Sequence, residues 1–208
     1  DAMTMPALLS HYGMDDARFV TAGGRIIFDQ VTRLADGVFT HPTHGLVTAV
    51  AKHTFHGGEA DSDAAAGEVP AWWEDEDAIN SHVVAMSQAF PQFTYVPASD
   101  GGVPCWWGEL DTGRGRFTIA ILLRRDRGLP FVSVLGHGRL GAQSGRRWER
   151  PPPIYLNGDI CVASREEWHP DEHTAATVTA WAAHWLAAYT EWRFTRRWPS
   201  EGVDAVAS

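Results

Sequence analysis

At 208 residues, with 44% hydrophobic and 21% charged side chains, the chain suits one globular domain with an extension, or two small domains. Its net charge of -9 argues against broad contacts with a nucleic-acid backbone, and no apolar run approaches the roughly 20 residues of a membrane span. Two cysteines are too few for a disulfide framework and, with no basic-then-apolar start, point to a reducing, cytoplasmic setting.

Residues 6–55 alternate short β-like pieces with turns. Arg25–Phe28 and Gly45–Val50 are the strand candidates, and Ala22-Gly23-Gly24 and Ala35-Asp36-Gly37 are turn signals. Residues 1–56 are therefore expected to form a β-rich extension. His41, His44, His53 and His56 make two His-x-x-His pairs, but a four-histidine site without cysteine or carboxylate is uncommon, so solvated loop histidines are expected. Gly57-Gly58 ends this part as ubiquitin-like tails end, although the segment is short for that fold. Residues 57–70 are mostly small or acidic and read as a flexible linker.

A second region is expected over residues 71–208. The acids Glu74–Asp77 suit the first turn of a helix running to Ala89, with Ile79, Val83 and Met86 on one face and Pro91 past its end. Three strands follow, at Cys105–Leu110, Arg116–Leu123 and Pro130–Leu135. Gly136–Arg150 reads as a Gly/Arg-rich solvated loop, and Cys105 as a core residue. The last helix is expected from about Asp171 to Phe194, because Trp181, Trp185, Tyr189 and Trp192 are spaced to line one core-facing stripe. The sum is an α+β domain: an antiparallel meander flanked by an N-terminal helix and a long C-terminal helix.

Between meander and last helix lies Pro151-Pro152-Pro153-Ile154-Tyr155-Leu156-Asn157-Gly158-Asp159-Ile160-Cys161, then Trp168-His169-Pro170. The turn before Cys161 and the helix start after it predict a strand-exit cysteine with an accessible sulfur and a favoured thiolate, which could act as a nucleophile. Position alone leaves open a buried structural cysteine. His169-Pro170-Asp171-Glu172-His173 also fits an inverted zinc-peptidase pattern, but Pro170 marks a first helical turn and splits the pair, so tuning of Cys161 or proton relay by His169 or His173 is the expected role.

The second half resembles the ubiquitin-conjugating enzymes, over about residues 72–202. Pro152 matches the proline of the family's His-Pro-Asn, Tyr155 the aromatic, Asn157-Gly158 the turn, Cys161 the nucleophile, and Trp168 and Pro170 the Trp-x-Pro. The tryptophan-rich last helix and Trp198-Pro199 suggest the bacterial members of anti-phage operons. Two positions depart from the pattern: Pro151 replaces the family's histidine, and Pro153 replaces the asparagine that donates to the thioester oxyanion. Losing one such donor costs on the order of 100- to 1,000-fold in rate. Asn157, the amides after Cys161, His169 and His173 are candidates to compensate.

The resemblance implies a conjugating domain over 71–208 that carries a ubiquitin-like protein, or another protein C-terminus such as a nucleotidyltransferase's, as a thioester on Cys161 and passes it to an acceptor amine. It implies a separate adenylating activating enzyme as partner, since no nucleotide-binding glycine motif is visible, and it implies no cofactor. The alternative is a non-catalytic binding module on the same fold, which Pro153 favours. A cysteine hydrolase lacks an identifiable Cys-His-Asp or Cys-His-Asn set.

Overall fold

The computed structural model describes residues 17–67 and 70–199. The start of the expected extension, the end of the expected conjugating domain and two linker residues lie outside the described residues.

Five short strands come first: β1 (Arg18–Thr21), β2 (Ile26–Ile27), β3 (Thr32–Ala35), β4 (Val38–His41) and β5 (Gly45–Val50). They form an antiparallel sheet in the order β2-β1-β5-β4-β3. Val20 and Val47 are buried, whereas every residue of the edge strand β3 is exposed. The β3–β4 hairpin turns at Ala35-Asp36-Gly37, where Gly37 takes a φ of +72° that only glycine adopts without cost.

Helix α1 (Glu76–Ala89) begins at Asp75, whose carboxylate accepts from the amides of Asp77 and Ala78. Met86 is buried, Ile79 and Val83 pack partly against the core, and His82 also turns inward. The meander is β6 (Thr94–Val96), β7 (Cys105–Asp111), β8 (Arg116–Leu122) and β9 (Phe131–Leu135), antiparallel and in chain order. It has four strands where the sequence predicts three, because the three residues of β6 are too few to show alternation. Trp106 and Leu110 of β7 and Phe117, Ile119 and Ile121 of β8 form the buried face. The Gly/Arg-rich stretch is not an open loop but contains the hairpin β10 (Ala142–Ser144) and β11 (Arg147–Glu149).

Helix α2 (Ala175–Thr195) is capped by Thr174, whose hydroxyl accepts from the amide of Ala176. It starts later than about Asp171, because His169–His173 form a turn with Glu172 N and His173 N both donating to His169 O. Trp181, Trp185, Tyr189 and Trp192 are all buried, as their spacing predicts. So are Val178, Ala182, Ala183 and Leu186. The helix is wrapped beyond one stripe because α1 and β8 pack on it together with β1, β2 and β5. The architecture is α+β with antiparallel sheets, and among the described residues no helix is long and apolar enough to cross a membrane.

Residues 57–67, which composition reads as a linker, are held at several points. The buried Arg124 guanidinium donates to Asp61 at 2.9 Å and pairs with Asp126, while the Asp63 carboxylate accepts from the amides of Arg125 and Asp126. The acids that suggest solvation instead serve as hydrogen-bond acceptors for the 124–126 turn.

Candidate active site around Cys161

The segment before Cys161 is a compact irregular loop. Tyr155 N donates to Asp159 O at 2.9 Å, Gly158 N to Tyr155 O at 3.0 Å, and Cys161 N to Pro153 O at 3.3 Å. Asn157 closes the turn: its side-chain oxygen accepts from Asp159 N at 2.9 Å and its amide nitrogen donates to the Asp159 carboxylate at 3.2 Å. Asp159 is fixed in turn by the Ser133 hydroxyl of β9 at 2.5 Å. The Pro153 carbonyl also accepts from the buried Trp185 indole at 2.8 Å. The local backbone of the cysteine segment is thus pinned to both β9 and α2.

Cys161 itself is only 1% exposed, its sulfur lying 3.7 Å from Ala163 O. The expected exposure of the two cysteines is reversed, since Cys105 on β7 is half-buried. The expected helix-dipole assistance is missing as well: a single 3-10 turn, Arg165–Glu167, follows the cysteine, and α2 begins only at Ala175. Burial pushes the Cys161 thiol above its ordinary pKa; hydrogen bonding from the Tyr155 side chain and from the backbone of His56 and Ala163 pulls it back only in part, and the Glu167 charge pushes it up further. Burial likewise holds the Tyr155 phenol protonated. The resting group is a thiol, so its deprotonation needs a base or a rearrangement.

The cysteine nevertheless lines an open groove of about 320 Å³, with His56, Gly57, Glu59, Tyr155 and Arg165 among its walls. His56, Gly57 and Glu59 form one side of it, and the residues just before them are held firmly. His53 Nδ1 contacts Val162 O at 2.5 Å, and its Nε2 meets His184 Nδ1 of α2 at 2.7 Å. Burial holds both imidazoles neutral, with pKa values well below the usual histidine range. The amide and hydroxyl of Thr54 both donate to the Glu167 carboxylate, each at 2.9 Å, and the same carboxylate accepts from Ser164 N. Gly58 bridges Tyr155 in parallel, with Leu156 N donating to Gly58 O at 2.8 Å. Gly57 runs so close to the proline segment that a Cβ there would lie 2.6 Å from Pro152 O. This close approach explains Gly57, and a φ of +106° explains Gly58.

Of the residues expected at the site, Cys161 and Asn157 share one loop, with Asn157 exposed and engaged in the turn. His169 and His173 bond to each other, His169 N donating to His173 Nδ1 at 3.1 Å, and His173 packs on Trp168 and Trp181. Burial, with His169 beside it, lowers the His173 pKa. Neither is joined to Cys161 by a hydrogen bond. The imidazoles next to the cysteine segment are His53 and His56, which the sequence presents as loop histidines; only their nearness to Gly57-Gly58 could have singled them out. His41, buried at the end of β4, lies against His44 with their rings tilted and 4.8 Å apart.

The model of one protein family, described as Type II CBASS E2 protein, matches residues 82–205 of this chain. No curated protein and no solved structure matches it.

Proposed function

The chain belongs to that family, the E2-like proteins of type II CBASS anti-phage defence, and from this premise we propose that it carries a protein C-terminus as a thioester on Cys161 and transfers it to an amine. The carrying observation is the groove: the cysteine at the family nucleophile's place in the motif order lines an open surface cleft. A separate adenylating enzyme would supply the acyl adenylate. The Cys161 sulfur loses its proton and attacks the acyl carbonyl, a C–S bond forms, and AMP leaves. An acceptor amine then attacks the thioester carbonyl, a C–N bond forms, and the C–S bond breaks. A ubiquitin-like protein or a nucleotidyltransferase is the donor we favour, and a lysine the acceptor. Loading requires Tyr155 or the Gly57–Glu59 tip to give way, because the sulfur is covered at rest.

The burial of Cys161, its raised pKa and Pro153 at the oxyanion position favour a second reading, a binding module that keeps the fold without the chemistry. One experiment separates the two. With the cognate activating enzyme, ATP and the donor protein, a reductant-sensitive adduct forms on the native chain, persists in Cys105→Ala and is lost in Cys161→Ala. Cys161→Ser traps it as a more stable ester. If the native chain binds its partners but forms no adduct, the binding module is correct.

A further inference from the structure

Whatever removes the proton from the attacking amine must stand in the groove, and the side chains there narrow the choice. The Arg165 guanidinium offers donors and no acceptor, and burial keeps the proton on the Tyr155 phenol, so neither takes up a proton there. Asp61 is already paired with Arg124 and Arg165. Glu59 and Glu166 are exposed carboxylates suited to attracting a cationic amine. His56 is the groove's imidazole, the group best matched to proton transfer near neutral pH.

The hydrogen bonds around His56 fix which of its nitrogens is free. The Thr54 hydroxyl has one proton, and the Glu167 carboxylate, an obligate acceptor, takes it at 2.9 Å. That hydroxyl can therefore only accept from His56 Nε2, which lies 2.9 Å away. Nε2 carries the imidazole proton, and Nδ1 carries the lone pair. Glu167, Thr54 and His56 thus form an acceptor, a relay and an oriented imidazole. Glu167 is itself fixed by Ser164 N and Thr54 N. Thr54 and His56 lie outside the family-matched residues 82–205, whereas Glu167 and Ser164 lie within them.

We infer that His56 is the general base for acyl transfer from Cys161, a role that rests on the acyl-carrier reading above. The amine nitrogen attacks the thioester carbonyl, and its proton passes to His56 Nδ1. The C–S bond breaks, and the imidazolium returns that proton to the leaving sulfur of Cys161. Amide and free thiol are the products, and Thr54 and Glu167 keep their protonation states throughout. Glu167 and Thr54 are positioning residues in this scheme.

The test loads Cys161 directly in the full chain carrying Cys105→Ala, using a small glycyl thioester of mercaptoethanesulfonate, and follows cleavage by free lysine with intact mass as pH is varied. His56→Gln is expected to slow cleavage about 100-fold at neutral pH. The gap should close at alkaline pH, where hydroxide takes over the proton. Thr54→Val, which leaves the Thr54 N to Glu167 bond in place, should show a weaker version of the same pH dependence, and Thr54→Ser should restore the native profile. Equal cleavage in His56→Gln and the native chain overturns the base assignment, as does a slowing that is the same at every pH. Failure of Cys161 to accept the glycyl group in the native chain sinks the acyl-carrier reading and the base with it, whereas loading without any dependence on His56 sinks the base alone.

Discussion

The meander with its two helices and the N-terminal arm, residues 17–67, acquire their interiors differently. The meander alternates long strands, with Trp106, Leu110, Phe117, Ile119 and Ile121 turned inward, and closes them with the tryptophan face of α2. The arm has strands of two to six residues, an edge strand exposed along its whole length, and few buried side chains of its own. Its interior is completed by α2, through Val20 and Phe55 in the shared core, the His53–His184 contact and the Trp181 indole donating to Ala51 O at 2.9 Å. The weaker region is nonetheless the one that supplies a wall of the Cys161 groove. Precise placement there depends less on local propensity than on a few long-range contacts.

The sharpest way to break this contrast is to damage the helix both regions share. Trp185→Ala should cost about 3–5 kcal/mol, because the indole is fully buried and holds Pro153 O. Denaturant unfolding read by arm and meander probes should shift together. Separate transitions would mean that the arm has an interior of its own.

Acid comes next. His82, which accepts from Ala175 N at 3.0 Å, is lowered by burial from 6.5 to about 4, and His53 and His184 are lowered too. A folded pKa below the unfolded one means that the unfolded chain binds more protons between the two values. Stability is therefore complete above about 6.5 and is lost as pH falls through about 4, with His82 alone contributing about 3 kcal/mol at most. Two of these three histidines join the arm to α2. At mildly acid pH, hydrogen exchange should accelerate in residues 51–56 before β8; the reverse order would contradict the arm's dependence on that junction.

Gly57→Ala should cost about 1–3 kcal/mol by overpacking, since the new Cβ meets Pro152 O. It should also speed alkylation of Cys161, which in the native chain is expected to lag behind Cys105. A stable variant with unchanged labelling would show that the Gly57–Glu59 tip does not guard the sulfur. At the small end, Leu34→Ser on the exposed β3 should stay within about 0.5 kcal/mol in thermal unfolding.

These differences explain what could be read from the amino acids alone. The helices and the long strands announce themselves through Asp75, through the alternation of β8 and through the Trp181–Trp192 spacing. β1, β3 and β6 are too short to carry a period. The cysteine's place after the Gly158 turn and before Trp168-x-Pro170 was legible, but its burial was not, because part of the groove wall beside it comes from residues about a hundred positions earlier. The same distance hid Thr54, His56 and Glu167, three ordinary polar residues whose meaning lies in their bonds to one another. The acids of residues 61–63 misled in the opposite direction, since composition registers their charge and not the Arg124 that receives it.

The stretch 56–60 is tethered on one side by Thr54 on Glu167 and on the other by Asp61 on Arg124. A loop this short closes on the order of 10–100 ns once opened. Thiol reagents and acyl donors act far more slowly, so any opening equilibrates many times before a bond forms. Labelling of Cys161 therefore measures the fraction of molecules standing open, and a partner that docks on residues 56–60 would change the reaction by shifting that fraction, without touching the speed of opening and closing.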